Sequence, residues 1–219
     1  MTRPPSPPPG VTTLILWRHG ITDWNVARRI QGHSDTPLNP EGRAQAAAVA
    51  PLLAARRPVA IVSSDLSRCR QTAAPLAELT GLPVSSDPRL RERYYGEWEG
   101  LTAAEIAERW PESHARWRAV HDMADLGHGI ERPTEVTKRV GEALREIADA
   151  APGATTVVVT HGGAARYGTL DLLDWPLDQV HSLAGLVNCH FTELRQDPRR
   201  GWVLQAHNVG TVAGAPTYE

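Results

Sequence analysis

The chain has 219 residues, 41% of them hydrophobic, and a formal net charge of −2. That length suffices for one α/β domain with a real core, and the charge argues against nucleic acid or an anionic membrane as the main partner. Two cysteines, Cys69 and Cys189, are too few for a disulfide framework, and no apolar run approaches membrane-spanning length, so the expected setting is a reducing cytoplasm. Lys138 is the sole lysine among 23 basic residues. A compositional bias accounts for most of the arginines; the remainder suit bidentate anion binding.

Residues 1–10, half of them proline, read as an extended arm with no apolar segment of the secretory kind. Leu14-Ile15-Leu16-Trp17 then reads as a short buried strand that stops at Arg18-His19-Gly20. Residues 21–37 are polar and aperiodic, a loop. Asn39 as N-cap, Pro40 at the first helical position and Glu41 in the first turn start a helix whose apolar pattern reaches Leu53. Pro51 falls inside that pattern and is expected to kink or split it.

Val59-Ala60-Ile61-Val62 is a second strand, followed by Ser63-Ser64-Asp65 and a helix over 66–80 that stops at Gly81. Arg68 and Arg70 stand in that helix's first turn, against the helix dipole, so a nearby anion would rationalise one of them. Two apart, they cannot share a face. Residues 92–100 form a loop dense in charge and aromatic rings, with helical patterns over 102–110 and 112–120. Trp98 is expected to pack that loop, while Tyr94 and Tyr95 fit either packing or substrate contact.

His121, Asp122, Asp125 and His128 lack paired metal-ligand spacing and read as a solvated loop. Pro133 opens a long amphipathic helix with Val136, Val140, Leu144 and Ile147 at helical spacing. Thr155 to Thr160 is a β-branched strand ending in His161-Gly162-Gly163, with a helix over 164–173. Two further strands, 186–194 and 202–207, flank Pro198-Arg199-Arg200-Gly201 as an antiparallel addition. The pattern predicts a single three-layer α/β/α domain over residues 11–212, mostly parallel with an antiparallel edge strand, with a tail at 213–219.

Two strands thus end in His-Gly, and ligands of open parallel sheets bind at strand carboxyl ends. Phosphoryl transfer needs positioning and charge on the equatorial oxygens, which two guanidiniums and an imidazolium can supply without a metal or other cofactor. A nucleophilic His19 must present a neutral nitrogen, so its other nitrogen should donate, to a backbone carbonyl. Gly20 and Gly162 would let the backbone approach the phosphate.

The sequence resembles the histidine phosphatase, or phosphoglycerate mutase-like, superfamily over about residues 12–210. The resemblance lies in Arg18-His19-Gly20-Ile21-Thr22-Asp23-Trp24-Asn25, Gln31-Gly32-His33-Ser34-Asp35-Thr36-Pro37-Leu38, Ser64-Asp65-Leu66-Ser67-Arg68, Leu90-Arg91-Glu92, Gly96-Glu97-Trp98-Glu99-Gly100 and Val159-Thr160-His161-Gly162-Gly163. It implies that His19 becomes phosphohistidine and that Glu92 is the general acid. It further implies that Arg18, Arg68 and His161 line the phosphate pocket, with Asn25 and backbone amides such as that of Gly162 as added donors. The motif selects Arg68 over Arg70. Gln31, Arg28 and Tyr94 stand where family members contact substrate, with a solvated surface as the other reading of Arg28 and its neighbour Arg29.

The expected activity is metal-independent hydrolysis of a small phosphate ester, of sugar phosphate or phosphoglycerate type. Residues 117–122 lack the Arg-Arg pair and Pro-rich element of cofactor-dependent mutases, which favours a phosphatase over that alternative. An inactive phosphate-binding scaffold is the third reading, opposed by the retained nucleophile. The stretches around Gln31-Gly32, Gly96 to Gly100 and Asn188-Cys189-His190-Phe191 look most like the broad-specificity branch, near glucosyl-3-phosphoglycerate phosphatases. Gly129-Ile130-Glu131-Arg132 departs from the family's usual Gly-Gly-Glu-Ser/Thr. The expected partner is a small molecule, with no nucleic acid or membrane, and a homodimer is compatible with the chain.

Overall fold

The computed structural model describes residues 10–119 and 126–211. The proline-rich arm up to residue 9, His121, Asp122, Asp125 and the tail from residue 212 lie outside them. Six strands form one sheet in the order β3-β2-β4-β1-β5-β6. The strands are β1 (Thr13–Arg18), β2 (Ala60–Ser63), β3 (Val84–Ser86), β4 (Thr155–Thr160), β5 (Phe191–Asp197) and β6 (Gly201–Val209). β1 to β4 run parallel to one another, and β5 and β6 add antiparallel on the β1 side.

Alternation along β1 decides the layers, because successive side chains of a strand face opposite ways. Leu14 and Leu16 pack with Val140, Leu144 and Leu170, on the side of α6 (Pro133–Asp149) and α7 (Gly162–Leu172). Ile15 and Trp17 pack with Val49, Leu53, Cys69 and Leu76, on the side of α2 (Pro40–Ala54) and α3 (Ser67–Thr80). Covered on both faces, β1 and β4 are buried along almost their whole length. A third, smaller cluster of Trp98, Ile106, Leu126 and Ile130 lies in the excursion between β3 and α6. That excursion carries α4 (Ala103–Arg109) and α5 (Pro111–Arg118). Among the described residues no helix is long and apolar enough to cross a membrane.

Three local expectations change. α2 runs unbroken through Pro51, whose ring is solvent-exposed while Val49, Ala50 and Leu53 are buried in the core. Core packing on the inner face outweighs the loss of one backbone donor. Residues 186–190 are loop, so β5 starts only at Phe191. Cys189 there takes a left-handed backbone (φ 56°), and its N–H reaches the carbonyls of Arg18 and His19. Leu186 is apolar because it is buried beneath that loop, not because it pairs in the sheet. Finally, α7 begins two residues early, at Gly162, which leaves His161 as its N-cap.

Candidate active site

The register Arg18↔Thr160 places the carboxyl ends of β1 and β4 side by side. His19 and His161 therefore emerge together, their ring centroids 5.2 Å apart in an edge-on contact. Both rings are buried. The next backbone step is held equally tightly. A side chain on Gly20 would come within 2.4 Å of the Gly42 carbonyl oxygen at the start of α2. Close packing of two backbones, rather than approach to a phosphate, thus explains this glycine.

His19 Nδ1 lies 2.8 Å from the carbonyl oxygen of Gly20. A carbonyl only accepts, so Nδ1 carries the proton and Nε2 keeps its lone pair. Burial, with Arg68 and Arg18 adding positive charge nearby, holds this imidazole well below the ordinary histidine range. Asn188 anchors the same residue by donating from Nδ2 to the His19 carbonyl (3.0 Å).

Arg68, fully buried in the first turn of α3, donates from Nη1 to Ser34 O (2.7 Å), from Nη2 to Gly32 O (2.7 Å) and from Nε to His161 Nδ1 (3.2 Å). Arg70 is exposed, as the shared-face argument requires of one of the two. Arg18 donates from Nη1 to Leu186 O (2.5 Å), and a side chain on Gly162 would press to 3.4 Å from its guanidinium.

His161 is not the imidazolium expected from sequence. Its Nδ1 accepts from Arg68, so Nε2 carries the proton and donates to Ser64 Oγ (3.0 Å). Burial, then Arg68, His19 and Arg18, push its pKa well below the ordinary value. Four cations and near-cations, Arg18, Arg68, His19 and His161, crowd one buried site, and it is the two imidazoles that give up their charge.

The carboxylate of Glu92 sits on the N-terminus of α7, where anions are favoured. It accepts from the N–H groups of Gly163 (2.9 Å), Ala164 (2.9 Å) and Arg93 (2.9 Å). A side chain on Gly163 would stand 2.5 Å from Glu92 Oε1, so that position must be glycine for the acid to dock. The Glu92 carbonyl is held by His33 Nε2 (2.8 Å) and Arg139 Nη2 (2.8 Å).

The structure thus gathers Arg18, His19, Arg68, Glu92, His161 and Gly162 around two strand ends. Asn25 closes a capping box with Thr22, its Oδ1 accepting from Thr22 N (3.0 Å) and weakly from Asn188 (3.4 Å). With the oxygen so used, the Nδ2 amine is the end it can offer a phosphoryl oxygen. Gln31 turns inward instead: it is buried, and Oε1 accepts from Thr22 (3.1 Å) and Thr36 (2.6 Å), tying the loop together. Arg28 is exposed in a left-handed turn just after α1 (Asp23–Val26). Tyr94 is exposed, its ring 5.1 Å from that of His33, whereas Trp98 is wholly buried. His128 faces Glu97 and Ser113, and no group of three metal-ligating side chains occurs among the described residues.

Ser64 and Asn188 are contacts that sequence reasoning assigns no role. For Ser64 a signal exists, since it follows the end of β2, the third strand whose end opens on this site.

A profile of the histidine phosphatase superfamily (branch 1) matches residues 14–210. Glucosyl-3-phosphoglycerate phosphatase of Mycobacterium tuberculosis is 40% identical over 189 residues, covering 83% of this chain and 84% of that one. A metal-independent phosphoserine phosphatase of Arabidopsis thaliana is 40% identical over 158 residues, 71% of this chain and 66% of that one. The solved structure of a mycobacterial glucosyl-3-phosphoglycerate phosphatase complexed with VO3 superposes with a TM-score of 0.83 at 37% identity, covering 91% of this chain and all (100%) of the other. The chain belongs to branch 1 of the histidine phosphatase superfamily.

Proposed function

We propose that this protein is a metal-independent phosphomonoesterase acting on a small phosphorylated metabolite through a phosphohistidine at His19. The observation that carries the reading is the neutral His19 imidazole, its proton fixed on Nδ1 by Gly20 and its ring within the electrostatic reach of Arg68 and Arg18. Nε2 attacks phosphorus, and the P–O ester bond breaks as Glu92, which enters this step in its protonated form, delivers that proton to the leaving oxygen. Water then attacks the phosphohistidine, Glu92 takes up the water's proton, and the P–N bond breaks to release inorganic phosphate. Charge developing on the equatorial oxygens meets two guanidiniums in a buried setting, where such contacts are strongest. Asn25 adds a side-chain donor and Gly162 a backbone one.

The relatives named for glucosyl-3-phosphoglycerate and phosphoserine support a sugar phosphate or phosphoglycerate-type ester as substrate. Arg28 and Tyr94, both exposed, would meet the rest of that molecule. The reaction belongs to the cytoplasm, and a homodimer is checked by light scattering.

Release of p-nitrophenolate from p-nitrophenyl phosphate tests the reading. Turnover should persist undiminished in EDTA and vanish in His19→Ala. Loss of activity on chelation would refute metal independence. Interconversion of phosphoglycerates primed by 2,3-bisphosphoglycerate, without net hydrolysis, would instead establish a mutase.

A further inference from the structure

Arg68 is a buried cation whose partners are carbonyls and an imidazole; among the described residues no carboxylate lies within ion-pair distance of it. An isolated charge in such a place is costly, so its compensation has to come from somewhere. The hydrogen bonds show where. Gly32 O, which accepts from Arg68 Nη2 at 2.7 Å, belongs to the same peptide unit as the N–H of His33. That N–H donates to Glu99 Oε1 at 2.8 Å. The sequence of bonds is therefore carboxylate, peptide N–H, peptide C=O, guanidinium, and every dipole in it points the same way.

We propose that Glu99 is a positioning residue for Arg68, acting through the peptide unit between Gly32 and His33. The proposal rests on phosphoryl binding beside His19 as described above. Three further bonds make Glu99 the centre of this corner. Its Oε2 accepts from Ser34 N (2.9 Å) and Ser34 Oγ (2.7 Å), and its Oε1 also accepts from Tyr95 N (3.2 Å). Ser34 in turn presents the second carbonyl to Arg68 Nη1, at 2.7 Å. One carboxylate thus orients both carbonyls that aim the guanidinium.

The backbone is shaped around this arrangement. Gly32 has φ 49°, and a side chain there would fall 2.0 Å from Glu99 Oε1. Hydrogen bonds in series polarise one another, so a charge at one end strengthens the bond at the other. Burial lowers the affinity of Arg68 for its proton; Cys69 first, and then the carboxylates of Glu92, Asp35 and Glu99, work against that. Glu99 differs from the other two in having a bonded route to the guanidinium.

The test is Glu99→Gln, which keeps the shape and removes the charge. Both kcat and inhibition by inorganic phosphate are measured, with p-nitrophenyl phosphate and with a primary alkyl phosphate as substrates. The two esters differ in how far their leaving group depends on Glu92. Expected is a fall in kcat of about tenfold, equal for the two esters, with phosphate inhibition weakened by a similar factor. Wild-type phosphate inhibition in a folded Glu99→Gln protein would overturn the proposal. So would a loss confined to the alkyl ester, because that would route the effect through Glu92. Should Glu99→Gln fail to fold, Ser34→Ala removes one of the bonds that hold the Glu99 carboxylate without altering any charge and must show smaller losses that are again equal for the two esters. Failure of the His19 reading is separately visible, as turnover that survives His19→Ala.

Discussion

His19 and His161 come from the same local text, a buried strand that ends in His-Gly, yet they take opposite positions in the proposed chemistry. His19 spends Nδ1 on the carbonyl of its own neighbour, at 2.8 Å, and keeps Nε2 open for attack. His161 has both nitrogens engaged, by Arg68 at 3.2 Å and Ser64 at 3.0 Å. The first ring is set by a local bond, the second by residues delivered from α3 and the end of β2. What separates the ring proposed as nucleophile from the ring that positions Arg68 is therefore the set of partners, not the residue or its strand.

The largest expected effect breaks the pair apart. His19→Ala should reduce turnover to background and leave no phosphoenzyme when a labelled ester is acid-base quenched. His161→Ala should lower kcat by about 10²-fold, because it removes the acceptor that holds Arg68 Nε and so the aim of that guanidinium, while labelled phosphoenzyme still forms. Equal losses, with no label trapped in either variant, would show that the two rings act as one unit.

In stability the two histidines should behave alike. Both are held neutral, with folded-state pKa values lowered chiefly by burial. In the unfolded chain they titrate near the ordinary value, so below about pH 6.5 the unfolded state binds protons that the native state refuses. Stability is then complete above that pH and is lost as pH falls towards the lowered values. The slope approaches about 1.4 kcal/mol per pH unit for each histidine. His33 and His207, also lowered by burial, contribute with the same sign. Thermal melts between pH 7.5 and 5 read this directly, and a midpoint independent of pH would contradict it. His161→Ala should flatten the slope even though it spares phosphoenzyme formation.

What could be read from the sequence divides along the same line, local against delivered. The strand ends at His19 and His161, the Asn39–Pro40 helix start and the α6 face are legible because each depends on residues within a turn or two of one another. The helix dipole marks Arg68 and Arg70 alike, and only the family motif selects Arg68. Pro51 misleads because a local rule about a missing donor meets a helix held by its buried face. Residues 186–190 mislead because burial under a loop and burial in a sheet demand the same apolar side chains. Ser64 meets His161 across 97 residues, and Glu99 meets Ser34 across 65. Their roles exist only once the fold has closed, although the motif that contains Glu99 is visible from the start.

The finest test of the His19–His161 contrast lies in Ser64. The hydroxyl accepts the Nε2 proton of His161 and so fixes which nitrogen faces Arg68. Ser64→Ala leaves a buried N–H without that acceptor, a loss worth about 1–3 kcal/mol when nothing replaces it. Here something can: Cys69 Sγ already lies 3.4 Å from the same nitrogen, and burial raises its thiol to about 12, so it stays protonated as a weak acceptor. The expected fall in kcat is accordingly about fivefold, at the low end of that range. Cys69→Ala alone should be nearly silent, since the better acceptor remains. Together the two substitutions should cost more than their sum, because each conceals the other's role. Strict additivity would mean that the thiol is packing alone, and that Ser64 by itself accepts the Nε2 proton of the second ring.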